Sequence, residues 1–544
     1  MSLFAYLRRT SPRSFAWAIL ASIISGCTGA SFIVVVNASL HRETDERSAL
    51  AWVYISLCLA SIGTRIISQV LLYRLAQGLI FDLRRRLIDR LLGAPLRVVE
   101  KTGTPKVFAT LSEDVVVIGN ALPGLPLVCS SAAFAVVALV YLTSVSLIVA
   151  GATALAVVAG VLSYRLFGRF GMRHLGLARE DQDILFEHFR AITDGLKELK
   201  LNRRRREVVA GDELDTVANS FRRRSITGLT IFEGAAGSGQ AIIFALIAVV
   251  LFSLPLHFEI SAATLSSAVL TLLFVVNSLQ AVLVWLPAIG RASVALGKIE
   301  EQLEALAPEG STDPEGRDAA PVDFGNWNSI EFRAVSYLYP GPTGEQFLLG
   351  PLDFEFRRGE VLFVVGGNGS GKTTFAKLLT GLYIPEGGAV WVDGVEVTSQ
   401  NRDSYRQIFS AVFSDFFVFD GLVGLPAQDL AAKADAYLSR LQLDHKVGIV
   451  GEKFSTTALS QGQRKRLALL TAYLEDRSFY LFDEWAADQD PVFKGVFYEE
   501  LLGELKATGK AVVVISHDDR YFDLADRLVT LDYGQMRQRE IVGG

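Results

Sequence analysis

The sequence is poor in the residues that build covalent or soft-metal frameworks. Three cysteines occur in 544 residues. Cys27, Cys58 and Cys129 all lie in apolar runs without ligand-like spacing, which excludes a zinc site and a disulfide scaffold and leaves them as small core residues. A dominant charge is missing too. The formal net charge is −5, with 53 Lys and Arg against 58 Asp and Glu, which argues against nucleic acid as a main partner. Only 20% of residues are charged and 50% are hydrophobic, for a mean hydropathy of +0.33. That is too apolar for an ordinary soluble protein, while the length allows two or three domains.

The apolar residues are concentrated in the first half. Arg8, Arg9 and Arg13 precede an uncharged run from Phe15 to Leu40. A secretory signal shares that order of charge, but the run continues well past Cys27, so an uncleaved first span is expected. Further runs cover Ala51–Tyr73, Ala121–Thr143, Leu147–Tyr164, Leu229–Leu254 and Ala263–Leu286. Each approaches the ~20 residues that a bilayer core requires, which makes six spans. Basic residues cluster in two connections, at Arg84–Arg86, Arg90, Arg97, Lys101 and Lys106, and again at Arg165 through Arg222–Arg224. The positive-inside rule then places both termini and both long connections in the cytoplasm. Within these connections, Phe186–Leu201 and Lys101–Asp114 are expected to present short helices to a cytosolic domain. Polar groups inside spans are costly and mark candidate substrate-cavity positions: Arg65, Gln69, Glu233, Gln240, Asn277 and Gln280. Interhelical hydrogen bonding is the plainer alternative for each.

A helical tail leaves the last span. The residues at 307–328 are rich in Pro, Gly and acidic side chains and read as a linker between a membrane domain at 1–306 and a second domain at 329–544. From Ser329 short apolar strands alternate with helices, an α/β arrangement. Strands are expected at Ser329–Ser336, Leu352–Phe356, Val361–Val365, Ser478–Phe482 and Ala511–Ile515. After Val365 comes a loop and helix start, Gly366 through Asn368, Gly369, Ser370, Gly371, Lys372, Thr373 and Thr374. This is the phosphate-binding loop of nucleotide hydrolases: backbone N–H groups and a helix N-terminus cradle polyphosphate, Lys372 neutralises it, and Thr373 ligates Mg²⁺. Asp483 and Glu484 follow a buried strand, the first suited to the Mg²⁺ shell and the second to polarising water. His517 ends another strand, where it can contact the γ-phosphate. Tyr339, just after the first strand, can stack on adenine. Ser460 N-caps an expected helix at Arg464–Leu474, a second anion site within Leu459-Ser460-Gln461-Gly462-Gln463. Two phosphate sites on one chain suggest nucleotide sandwiched between two copies.

The phosphate loop, LSQGQ, FYLFDE and ISH stand in the order and spacing of ATP-binding cassette proteins. Six spans ahead of them resemble an ABC exporter half-transporter along essentially the whole chain. LSQGQRKRLALLTAYLEDR, DEWAADQDP and ISHDDRYF look like the cyclic-peptide and siderophore exporter branch, related to pyoverdine and syringomycin-type transporters. The resemblance implies an all-α six-helix transmembrane domain fused to a cytosolic α/β P-loop ATPase domain. It further implies a homodimer in the bacterial inner membrane, ATP and Mg²⁺ as cofactors, and catalytic Glu484, His517 and Lys372. Ser460 and Gly462 would meet the γ-phosphate bound by the second copy, and Gln463 would join the nucleotide-binding residues. The cargo expected is a peptidic small molecule, with membrane lipid around the spans and periplasmic or outer-membrane efflux proteins as further partners. A lipid or multidrug flippase is the rival reading, and a sensor that uses ATP only as a switch is the other.

Three positions depart from the family pattern. Gln461 replaces a usual glycine but spares Ser460 and Gly462. Ser414 stands where a coupling-loop glutamine is usual, and the shorter side chain reaches Mg²⁺ only through a water. Ala487–Asp490 replaces Ser-Ala-Leu-Asp: Asp490 matches the terminal Asp at the dimer seam, and Asp488 adds charge there.

Overall fold

The computed structural model describes residues 3–40, 44–258, 261–307, 322–340, 346–422, 424–425 and 430–539. The chain divides into two units. One comprises residues 1–88 and 105–303, the other residues 89–104 and 304–544.

In the first unit, six helices among the described residues are long and apolar enough to cross a membrane. Five run well past the expected spans. The helix Thr44–Gly93 has 50 residues, about 75 Å at the α-helical rise, so over half of it lies beyond a bilayer core. Leu147–Asp194 and Leu214–Ala248 form a close pair because their contact face is small. A Cβ on Gly160 would lie 3.7 Å from the Gly239 Cα, and Ser163 and Ser238 share a hydroxyl hydrogen bond of 2.8 Å. Without a hydrophobic drive between helices in lipid, such close approach and interhelical polar contacts hold spans together. Further along the same pair, Asp181 accepts from Arg224 and Ser220, each at 2.8 Å. That buried carboxylate pins the two helices at one register. The amphipathic helix Leu3–Thr10 buries Leu3, Tyr6 and Leu7 in the cluster with Leu296 and Ile299, leaving Arg8 and Arg9 exposed.

The second unit holds the α/β fold. A four-stranded antiparallel sheet has the order β2 (Gln346–Arg357), β1 (Ser329–Pro340), β4 (Gly387–Val392) and β5 (Val395–Glu396). A six-stranded sheet includes β3 (Val361–Val365), β6 (Phe409–Val412), β9 (Phe479–Asp483), β10 (Ala511–Ile515), β11 (Arg527–Asp532) and β12 (Gln535–Arg539). Its order is β12-β11-β3-β10-β9-β6, parallel except for β12. The short hairpin β7 (Ile449–Val450) and β8 (Lys453–Phe454) stands apart. β3, β9 and β10 are buried at every position, as strands covered on both faces must be.

Three boundaries differ from expectation. β1 runs to Pro340, so Tyr339 lies inside the strand and not after it. The linker ends before Phe324: Phe324 and Trp327 are buried in the second core, and Trp327 stacks on Phe479 and donates to Ser478 Oγ at 2.9 Å. Aromatic anchors were hidden there by the acidic and glycine residues around them. The helix expected over Lys101–Asp114 begins at Thr104 and lies from Pro105 on in the first unit, whereas residues 89–104 pack with the second unit and carry a separate short helix, Leu96–Thr102. Pro95 fixes its start and Gly103, at φ +83°, its end. The other stretch, Phe186–Leu201, breaks at Gly195 into the end of a long helix and a short one at Leu196–Leu201.

Candidate ATP site and its connections

Three neighbouring parallel strands, β3, β10 and β9, deliver their loops to one edge of the sheet, where ligands of open parallel sheets bind. The loop after β3 is tight at both ends. A Cβ on Gly366 would sit 2.2 Å from Leu531 O, and Gly371 has φ +102°. Lys372, only 6% exposed, closes the loop on itself by donating to Gly366 O (3.0 Å) and Gly367 O (3.1 Å). Ser370 Oγ is buried with no hydrogen-bond partner. Such an orphan is costly unless a ligand satisfies it, and a phosphate oxygen fits that need. Asn368 and Gly369 are exposed at the loop tip, and Thr374 lies in the first turn of the helix Lys372–Leu379.

Asp483, 1% exposed at the end of β9, accepts from Thr373 Oγ1 at 3.1 Å and from Ser414 Oγ at 3.4 Å. Burial pushes its carboxyl above the ordinary carboxylate range; the Thr373 hydrogen bond opposes this, and the Glu484 charge adds to it. A dry carboxylate with two hydroxyls is an all-oxygen donor set suited to a hard cation such as Mg²⁺. Ser414 shares its oxygen partner with Thr373, so the serine keeps contact with this cluster despite its short side chain.

Glu484 sits beside this group, its carboxylate 3.7 Å from Lys372 Nζ and 3.2 Å from His517 Nε2. Its N–H donates to Ile515 O of β10 at 3.0 Å, and Ser516 N–H to Val364 O of β3 at 3.2 Å. These main-chain bonds hold the three loops at fixed offsets. Tyr339 is half-exposed and pairs with Phe347 across the β1–β2 ladder; such partners share a face. Phe347, which the sequence reading missed, lies under the loop, 3.1 Å from where a Gly371 Cβ would be.

At the other motif, Ser460 caps the helix Gln461–Glu475 through a reciprocal box. Gln463 N–H donates to Ser460 Oγ (3.4 Å), and Ser460 N–H to Gln463 Oε1 (3.2 Å). Gln463, expected to meet nucleotide, therefore spends its amide oxygen on the cap, a pattern legible in the Ser-x-x-Gln spacing. Gly462 O accepts from Gln489 Nε2 at 3.1 Å. Asp490, expected at a dimer seam, caps the helix Pro491–Gly495 and pairs with Arg466 at 2.6 Å. Asp488 pairs with Lys465 at 2.7 Å. Both carboxylates, the added Asp488 and the matching Asp490, are balanced within the chain.

The short helix Leu96–Thr102 contacts the first helix of the nucleotide loop. Glu100 accepts from Lys377 Nζ at 2.8 Å and from the Tyr383 hydroxyl at 2.5 Å, while Arg97 pairs with Glu386 and lies over the Tyr337 ring. Burial and the Glu100 carboxylate push the Tyr383 phenol well above its ordinary value, which keeps it a donor. Lys377 is five residues from Lys372 on one helix, so a shift at the phosphates reaches Glu100 through a rigid element. Glu100→Ala is expected to leave basal ATP hydrolysis within about twofold while transport per ATP falls several-fold. Parallel measurement of hydrolysis and vesicle uptake checks this, and unchanged transport would show that the contact carries no coupling.

The six polar span residues do not assemble into one cavity within the chain. Gln280 Nε2 donates to Gln240 Oε1 at 3.1 Å, and both line a small, mostly apolar cleft with Ala156, Gly160 and Leu283. Asn277 turns its amide to Leu273 O at 3.5 Å on its own helix. Arg65 and Glu233 are exposed, and Gln69 is half-buried.

Comparison with known proteins agrees with this arrangement. Residues 15–279 match the ABC transporter transmembrane region and residues 349–487 the ABC transporter family. ATP-binding protein SyrD of Pseudomonas syringae pv. syringae is 36% identical over 541 residues, covering 98% of this chain and 95% of that protein. The ATP-dependent lipid A-core flippase of Haemophilus influenzae strain Rd is 25% identical across 90% of this chain and 84% of its own length. The fold matches that of a bacterial Atm1-family ABC exporter with ATP bound, with a TM-score of 0.74, 18% identity, and coverage of 98% of this chain and 95% of that one.

Proposed function

The chain belongs to the ABC transporter family, as an exporter half-transporter with transmembrane region and ATPase on one polypeptide, and from that premise we propose that it exports a peptidic small molecule. It is a multi-pass membrane protein that couples ATP hydrolysis to transport, and its half-transporter build implies dimerisation. The proposed setting is the bacterial inner membrane, with both termini cytoplasmic and two identical copies forming the pore. The observation that carries the hydrolytic part is the contact set of Lys372, Glu484 and His517 at the edge of one sheet.

The mechanism follows from these positions. Incoming phosphates compete with the carbonyls of Gly366 and Gly367 for the Lys372 ammonium and satisfy the buried Ser370 hydroxyl. Thr373, Asp483 and Ser414 would hold Mg²⁺, which supplies charge neutralisation at the phosphate oxygens. Tyr339 offers its exposed ring to adenine. Ser460, on the cap of its helix, reaches the phosphate held by the second copy. Glu484 accepts a hydrogen bond from the attacking water and aims it, while His517 fixes the carboxylate and meets the γ-phosphate side. The protein contributes positioning and electrostatics more than covalent chemistry.

Peptidic cargo rests on the branch-like segments around Ser460, Glu484 and His517, and on the whole-length similarity to SyrD. The whole-length similarity to a lipid A-core flippase supports a lipid as the second reading. The test is ATPase activity in nanodiscs titrated with cyclic peptides, peptide siderophore precursors and lipid A. Stimulation by peptides alone is the expected result. Stimulation by lipid A alone would replace the peptide reading with the flippase.

A further inference from the structure

One buried cation ties the helix that presents Ser460 to the residue that aims water. Lys465, 3% exposed, lies on the helix Gln461–Glu475. Its Nζ donates to the main-chain carbonyl of Glu484 at 3.2 Å and pairs with the Asp488 carboxylate at 2.7 Å. The link is returned by Trp485, whose Nε1 donates to Lys465 O at 2.8 Å. Trp485 is itself wedged against Phe497, with ring centroids 4.5 Å apart.

Glu484 has φ +51°, a left-handed conformation that a residue with a Cβ keeps only where its surroundings over-determine it. Its N–H is held by Ile515 O, and its carbonyl accepts from Lys465 Nζ at 3.2 Å and, in the following turn, from the Ala487 N–H at 3.3 Å. Both peptide groups flanking the side chain are therefore fixed, one by a core strand and the other by the Ser460 helix. Stability alone does not call for an ammonium here. Asp488 is half-exposed and can be solvated by itself, and an apolar side chain of similar length would fill the site without the cost of desolvating a charge.

We propose that Lys465 is a positioning residue for hydrolysis: by holding the Glu484 carbonyl it sets the angle of the carboxylate and keeps it in register with Ser460. The role rests on the reading of Glu484 as the group that orients water. Engagement of Ser460 by nucleotide then reaches the Glu484 carbonyl through the Lys465 ammonium, with the Trp485 bond to Lys465 O holding the same two segments together.

The test compares K465M, K465R and E484Q in the full-length protein in nanodiscs. K465M is expected to lower kcat about 10- to 100-fold, the cost of a small misplacement of a catalytic group. The KM for ATP should stay within about twofold, since the phosphate loop is untouched. K465R retains a charged donor and is expected to recover most of the loss. Equal losses in K465M and K465R, or a rise in KM parallel to the fall in kcat, assign Lys465 to packing and overturn the role. Wild-type turnover by K465M beside an inactive E484Q overturns the Lys465 role alone, whereas wild-type turnover by E484Q removes the reading of Glu484 and this role with it. Should K465M not fold, K465Q decides: the shorter neutral amide keeps the site polar but gives up the reach to the Glu484 carbonyl, and an unchanged kcat refutes the role, whereas a several-fold fall at constant KM supports it.

Discussion

Replacing Glu484 by Gln is expected to cut ATP turnover by about 10²- to 10⁴-fold, the range for removing a positioned general base, while ATP binding stays intact. The geometry separates the two effects. The Glu484 carboxylate lies 3.2 Å from His517 Nε2 and 3.7 Å from Lys372 Nζ. A carboxamide of the same size keeps an oxygen facing His517, and the main-chain bonds that fix residue 484 do not involve its side chain. What disappears is the negative charge that draws a proton from water. That charge also repels the γ-phosphate, so its loss favours the nucleotide-bound state. Single-turnover hydrolysis beside equilibrium binding of a fluorescent ATP analogue measures both arms. Unimpaired turnover would sink the assignment of Glu484 and revive a site with another base.

Lys372→Met should do the reverse and abolish binding without unfolding the domain. The ammonium is almost fully buried and its partners are two backbone carbonyls at 3.0 and 3.1 Å. Truncating one partner of a buried charge pair costs roughly 2–5 kcal/mol, here about 30- to several-thousand-fold in Kd. In the absence of nucleotide, an isosteric apolar side chain removes a desolvated cation at little or no cost in stability. The melting temperature without ATP is therefore expected to hold, and the rise that ATP gives the wild type to disappear, because stabilisation by a ligand scales with ln(1 + [L]/Kd). A variant that melts early without ATP would mean that Lys372 is a structural cation first. A normal ATP-dependent rise would mean that the phosphates are held by the loop amides alone.

Much of this site was legible from local pattern. The phosphate loop, the carboxylates after β9 and the histidine after β10 each sit at the end of an uninterrupted apolar strand, and strand ends of a parallel sheet share an edge. The cap at Ser460 was legible for the same reason, since Ser-x-x-Gln is a contact between residues three apart. For Gln463, expected to meet nucleotide, the motif reading left out a local contact: its amide oxygen accepts from the Ser460 N–H. Tyr339 was placed beyond its strand because Pro340 reads as a stop, yet the β1–β2 ladder carries through it. Phe347 gave no signal at all: one aromatic in an apolar strand looks like core until the loop that rests on it is seen.

Whatever depends on neighbours in the chain was readable from the residues alone. Six apolar lengths fix six spans, because a backbone in lipid must satisfy its own hydrogen bonds, and the alternation of short strands with helices from Ser329 fixes a wound sheet. Which charges and amides meet depends on packing between elements. Lys465 reaches Glu484 across 19 residues, Gln240 meets Gln280 across 40, and Glu100 finds Lys377 across 277. Residue 100 belongs by sequence to the connections between spans, yet it packs with the nucleotide-binding unit. Which polar groups become partners is settled by how helices and sheets stack, and no spacing along the chain encodes that choice.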